Sequence, residues 1–150
     1  MIKKVVALFL CLFIICSCSV FAEEKPITIL INEEQLSTPV APELLNDRTM
    51  MPMRAIFEAL GAKVSWAEGD ELIFATRGDS LLVLQIGTAA MSVQKIGSHG
   101  NVIVPLDAAP YLHPEGHTMV PARAIAEALD AKVDWDALTR TVIITQNTTE

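Results

Sequence analysis

The sequence predicts an α+β protein made of two repeated units, each a helix followed by an antiparallel β-hairpin. Two observations carry this. The 18 residues 49–66 recur at 118–135, at an offset of 69 residues, without a gap and with 13 positions identical. Within each copy the apolar residues first recur at helical spacing and then alternate as in a strand. Repetition of this kind marks a supersecondary unit that buries its apolar face against its copy. The 150-residue length and 51% hydrophobic content supply a core for a folded domain and exclude a disordered chain.

The first 22 residues read differently. Lys3 and Lys4 precede an unbroken apolar run over residues 5–16, and Val20-Phe21-Ala22 ends in small or modest side chains before Glu23. That is the three-part pattern of a secretory signal peptide, with cleavage between Ala22 and Glu23. The run is shorter than the roughly 20 residues a membrane-spanning helix needs. A second reading competes: Ile15-Cys16-Ser17-Cys18 is similar to a bacterial lipobox, which would put a lipid anchor on Cys18. The rest, 23–150, reads as one domain of two units, about 27–76 and 80–146.

Compartment and charge follow. Cys11, Cys16 and Cys18 all lie in the leader, so the exported domain has no thiol for a disulfide, zinc site or nucleophile. Eleven basic against 18 acidic residues give the whole chain a charge of −7. Loss of Lys3 and Lys4 makes it −9. Such a surface repels nucleic acid and anionic headgroups, so a membrane partner enters only through a lipid at Cys18.

Element by element, residues 27–32 form an opening apolar strand. Pro52 and Pro121 sit where a helix begins, a place that tolerates the missing N–H. Each helix runs to Leu60 or Leu129, with the i,i+4 pairs Ile56/Leu60 and Ile125/Leu129 facing the core. Gly61 is suited to the left-handed residue that ends a helix, and Asp130 holds that place in the second copy with less ease. Alternating strands follow at 63–66 and 132–135, then turns at 67–70 and 136–139, and return strands at 71–76 and 140–146. Val64 with Trp66, and Val133 with Trp135, share the inward face and read as core. Residues 80–86, 90–96 and 101–105 are further strands, 107–116 a loop, and 147–150 a polar tail.

The motif Arg-Thr-Met-Met-Pro-Met-Arg-Ala-Ile-Phe-Glu-Ala-Leu-Gly-Ala-Lys-Val-Ser-Trp at 48–66, with its copy ending Asp134-Trp135-Asp136-Ala137-Leu138-Thr139-Arg140-Thr141-Val142, resembles the repeat of the copper amine oxidase-like N-terminal, or stalk, domain. Residues 37–42 are similar to that family's proline-containing lead-in. The resemblance covers nearly all of 27–146. It implies an α+β fold whose antiparallel strands curl around the helices, in exported bacterial proteins that often carry cell-wall or hydrolytic domains. It also implies an absence of chemistry, because in copper amine oxidases the metal and the quinone belong to a separate catalytic domain. Asp130 departs from the family's Gly, and Ala67-Glu68-Gly69-Asp70-Glu71 from its usual turn.

The residues themselves offer no catalytic set and no cofactor site. His99, His113 and His117 lie in or beside loops, without the converging imidazoles a copper site needs, and read as solvated. Asp134 and Asp136 flank Trp135 like a glycosidase pair, but the first copy has Ser65 and Ala67 there, so they read as a polar strand face entering an Asx turn. The placement of Arg54 and Arg123 calls for a reason. Each stands in the first helical turn, where the macrodipole disfavours a cation, and four residues before a Glu (Glu58, Glu127) in the weaker pairing order. Two roles fit: a structural lock between helix and hairpin, or an interaction site for a ligand carboxylate. The functional expectation is a non-catalytic structural or interaction module of the bacterial cell envelope or secreted space. Its partner is a cell-wall polymer or another envelope protein. A binding module for wall glycan or peptide is the alternative, and an enzyme ranks last.

Overall fold

The structure is a computed structural model that describes residues 24–67 and 71–147. The signal peptide, the Ala22–Glu23 cleavage site, Cys18, residues 68–70 of the first turn and the last three residues lie outside the described residues. The expected α+β architecture, with strands curled around helices, is not what forms. The protein is mostly β, with 49% of the described residues in strands, 12% in helices, and three sheets.

The two helices, α1 (Met53–Ala59) and α2 (Ala122–Ala128), have only seven residues each. Their brevity has a local cause at both ends. Pro52 and Pro121 keep extended ψ values of 115° and 118°, so the chain is still a strand when it reaches them. At the far end Gly61 and Asp130 take positive φ values of 78° and 55°. Around Gly61 the bonds from Gly61 N–H to Glu58 O (2.9 Å) and from Ala62 N–H to Phe57 O (2.8 Å) make a Schellman stop.

The residues just before each helix account for most of the correction. β4 (Arg48–Pro52) and β11 (Thr118–Pro121) are strands, and they pair antiparallel as Met50↔Pro121, Met51↔Val120 and Pro52↔Met119. The offset of 69 converts each partner into the other, so a pseudo-two-fold axis passes between Met51 and Val120. β3 (Glu43–Leu45) and β10 (Tyr111–Leu112) flank them, giving a central sheet in the order β10-β11-β4-β3. β10 arises inside the segment expected to be loop. Four-residue β11 is buried along its whole length, so it shows none of the polar alternation by which a strand is recognised.

A second sheet is the five-stranded meander β5-β6-β7-β8-β9. Its strands are β5 (Lys63–Trp66), β6 (Leu72–Arg77), β7 (Ser80–Gln85), β8 (Ala90–Lys95) and β9 (Asn101–Pro105), all antiparallel. The third has the order β12-β13-β1-β2, with β12 (Ala131–Asp136), β13 (Thr141–Gln146), β1 (Thr28–Ile31) and β2 (Glu34–Gln35). Here β1 runs parallel to β13, with Thr28 opposite Thr141 and Ile31 opposite Ile144. The hairpins β5–β6 and β12–β13 share one register: Lys63 opposes Thr76 as Lys132 opposes Thr145.

α1 packs against β4, β5 and β11, and α2 against β4, β11 and β12. One apolar cluster draws on both units: Ile56, Phe57 and Leu60 of the first, Ile125, Ala126 and Leu129 of the second, Met51 and Val120 between them, and Ile29, Ile73 and Ile144 from the sheets. Each fully buried large side chain contributes about 1.5–3 kcal/mol. Met50 and Met119 point to the opposite face of the central sheet, where they are also buried.

Candidate functional site

The pseudo-two-fold axis generates two grooves of similar build. One, of about 770 Å³, is lined by Pro52, Met53, Arg54 and Trp66 of the first unit and by Thr118 of the second. The other, of about 440 Å³, is lined by Pro121, Ala122, Arg123 and Trp135 of the second unit and by Thr49 of the first. The offset of 69 relates every one of these positions. In each groove the strand-to-helix corner supplies Pro and Arg, the end of the following strand supplies Trp, and the opposite unit closes the wall with Thr.

The tryptophans correct an expectation. Ile56, Leu60, Ile125 and Leu129 are buried, and Val64 and Val133 pack against the core, but Trp66 and Trp135 are 41% and 39% exposed. Val64 lies over the core, whereas Trp66, two residues on, reaches the groove. Indoles are buried for the most part in folded domains, so two at equivalent groove positions with open ring surface call for a reason.

Arg54 and Arg123 are exposed, and neither makes a hydrogen bond or ion pair with another described residue. Glu58 lines the groove of Arg54, whereas Glu127 does not line that of Arg123. Of the three carboxylates lining the smaller groove two are engaged, Asp107 Oδ2 at 2.7 Å from Arg48 Nε and Asp134 Oδ2 at 2.8 Å from Lys132 Nζ, while Asp47 has no ion pair among the described residues. That leaves the Arg123 guanidinium as the cation without a partner among the described residues there.

Two residues not singled out from the sequence join the units. Arg77, at the end of β6, donates to the carbonyl of Leu129 at the end of α2. Gln146, at the end of β13, donates from Nε2 to the carbonyl of Leu60 at the end of α1, at 3.1 Å. The signal for them was positional, since 77 and 146 also differ by 69, but Arg and Gln do not align by identity.

The other candidates resolve into local structure. Asp136 Oδ1 accepts the Leu138 N–H at 2.9 Å and Oδ2 accepts the Thr139 hydroxyl at 2.8 Å, the Asx turn expected there. The Thr139 hydroxyl, then the backbone N–H groups of Leu138 and Thr139, hold this carboxyl below the usual aspartate range. His113 and His117 close the β10–β11 hairpin through their backbones, at 2.8 Å, and the His113 Nδ1 accepts the Glu115 N–H at 3.2 Å. Among the described residues no group of three or more His, Cys, Asp or Glu side chains is placed to hold a metal ion. Among them too, no helix is long and apolar enough to cross a membrane.

Fold and grooves together define a mostly β module with two pseudo-symmetric concave surfaces. The family model of the copper amine oxidase N-terminal domain matches residues 30–144, and the chain belongs to that family. The N-terminal domain of copper amine oxidase is a non-catalytic accessory domain. No curated protein and no solved structure matches the chain.

Proposed function

We propose that this chain is a non-catalytic interaction module of the cell envelope or secreted space, and that its two Arg–Trp grooves engage cell-wall material. The observation that carries this reading is the recurrence, on both sides of the pseudo-two-fold axis, of a partly exposed Trp and an Arg without a partner among the described residues in one groove. Trp and Arg are the side chains most enriched where binding energy concentrates, and concave surfaces of this size suit small ligands. The leader pattern of residues 1–22 would deliver the protein to that compartment.

The test is capture by purified wall sacculi. Wild-type protein is expected to be retained, and the double variant Trp66→Ala/Trp135→Ala, if still folded by circular dichroism, to be lost. Equal retention of both proteins would remove the grooves from the account. A protein partner in the envelope is the second reading. The outer strand β9 favours it, because Val102 and Ile103 are 64% and 62% exposed on an unpaired sheet edge that could accept a further strand.

A further inference from the structure

We infer that the two grooves are equivalent binding sites for a carboxylate-bearing saccharide residue, one per groove, so that a single chain holds two sugar units of a glycan at once. This rests on the wall-binding reading above and specifies its ligand. The exposed indole gives a flat apolar surface, and a pyranose ring presents a face of C–H groups that suits it, with its hydroxyls left to solvent. The guanidinium gives a planar fork matched to a carboxylate. In the smaller groove Asp107 and Asp134 already face Arg48 and Lys132, which leaves the Arg123 guanidinium and the Asp47 carboxylate without a partner among the described residues, and of these the guanidinium is the charge that an anionic ligand would satisfy.

Charge narrows the ligand further. The whole chain carries −7, which opposes a polymer dense in phosphate or uronate. An isolated carboxylate on an otherwise neutral sugar escapes most of that repulsion and still meets the arginine. The volumes of about 440 and 770 Å³ accommodate units of one or two sugar rings. Each groove also holds a carboxylate that competes for its guanidinium, Glu58 four residues along the helix from Arg54 and Asp47 in the groove of Arg123.

The protein carries its own reporters. It has two tryptophans, one in each groove, so the two indole N–H resonances read the sites separately. The probe is the disaccharide of N-acetylglucosamine and N-acetylmuramic acid, titrated into the full domain. Chitobiose, which has the same ring framework without the carboxylate, is the control. Both indole resonances should shift with the muramic disaccharide, and chitobiose should bind at least about tenfold more weakly. Arg123→Lys keeps the charge but loses the fork, and should weaken only the site reported by Trp135. Arg54→Lys should weaken only that of Trp66. The amide spectrum of each variant shows whether it has folded.

Equal affinity for the two disaccharides, a shift of one indole alone, or arginine variants that fold and bind like wild type would each overturn the inference. Retention on sacculi without disaccharide binding would overturn it too, while leaving the wall reading intact. Failure of both assays would remove both.

Discussion

Arg77 and Gln146 occupy equivalent places in the two units, and each closes the C-terminal end of the other unit's helix. Arg77 donates to Leu129 and Gln146 to Leu60, acceptors that are themselves 69 residues apart. A helix C-terminus exposes carbonyls without intrahelical partners, and a cation there also meets the favourable end of the macrodipole. The reciprocal exchange means that neither unit completes its helix alone. Arg77→Ala is expected to cost about 1.5–3 kcal/mol and Gln146→Ala about 0.5–1.5 kcal/mol, by the ordinary worth of charged and neutral hydrogen bonds. Urea denaturation measures both, and unchanged midpoints would show that these contacts do not join the units.

The core makes a second prediction. Leu60→Ala and Leu129→Ala each remove a buried side chain from the shared cluster and should cost roughly 2–5 kcal/mol. Trp66→Ala and Trp135→Ala, at partly exposed positions, should cost clearly less despite the larger side chain. Thermal melting of the four variants ranks them. Tryptophan variants less stable than the leucine variants would return the indoles to the core.

The helix ends make a third. Nothing lies within 4 Å of a Cβ added at Gly61, so the effect of Gly61→Ala comes from its positive φ and is expected to be a loss of about 1 kcal/mol. Asp130 holds a positive φ with a side chain that Gly61 lacks. Asp130→Gly should therefore gain roughly 0.5–1 kcal/mol, the relieved strain being partly offset by the freer unfolded chain. A loss of stability in Asp130→Gly would mean that the carboxylate itself contributes.

Acid supplies the fourth. The Asx turn lowers the folded-state pKa of Asp136, so the unfolded chain binds its proton first as the pH falls. The stabilisation is present above the unfolded aspartate range and is lost as the pH drops through the folded value, below about pH 4. Asp136→Ala should lower the melting temperature at pH 6, and its difference from wild type should narrow at pH 2–3. A difference independent of pH would mean that the charged carboxylate plays no part.

The helices and hairpins were legible because Ile56/Leu60 and Val64/Trp66 repeat at the periods of a helix and of a strand. The central sheet was not. Met50-Met51-Pro52 and Met119-Val120-Pro121 are apolar on both faces and run straight into a helix, so no change of period marks the boundary. Their pairing, moreover, joins residues far apart in the chain. The pairing of β4 with β11 was hidden for that reason. Of the site, Arg54 and Arg123 stood out because a cation at a helix start needs a reason, but alternation alone placed Trp66 and Trp135 inward. It gives a side chain's face and not how far the neighbouring layer extends over it.

The parallel ladder between β1 and β13 has a mechanical meaning. Parallel strands start at the same end, so the chain enters β1 at one edge of the ladder and leaves β13 at the other. Tension applied between residues 24 and 147 therefore pulls the two strands lengthwise past each other. The load falls on all four pairs, Thr28↔Thr141 to Ile31↔Ile144, together. An antiparallel pair pulled from one end would instead open bond by bond. Forced opening is governed by the rate of crossing the unfolding barrier, and a ladder that must break at once raises that barrier. Stretching single molecules from the two ends, compared with pulling across residues 72 and 85 of the β6–β7 pair, would give the higher rupture force for the ends.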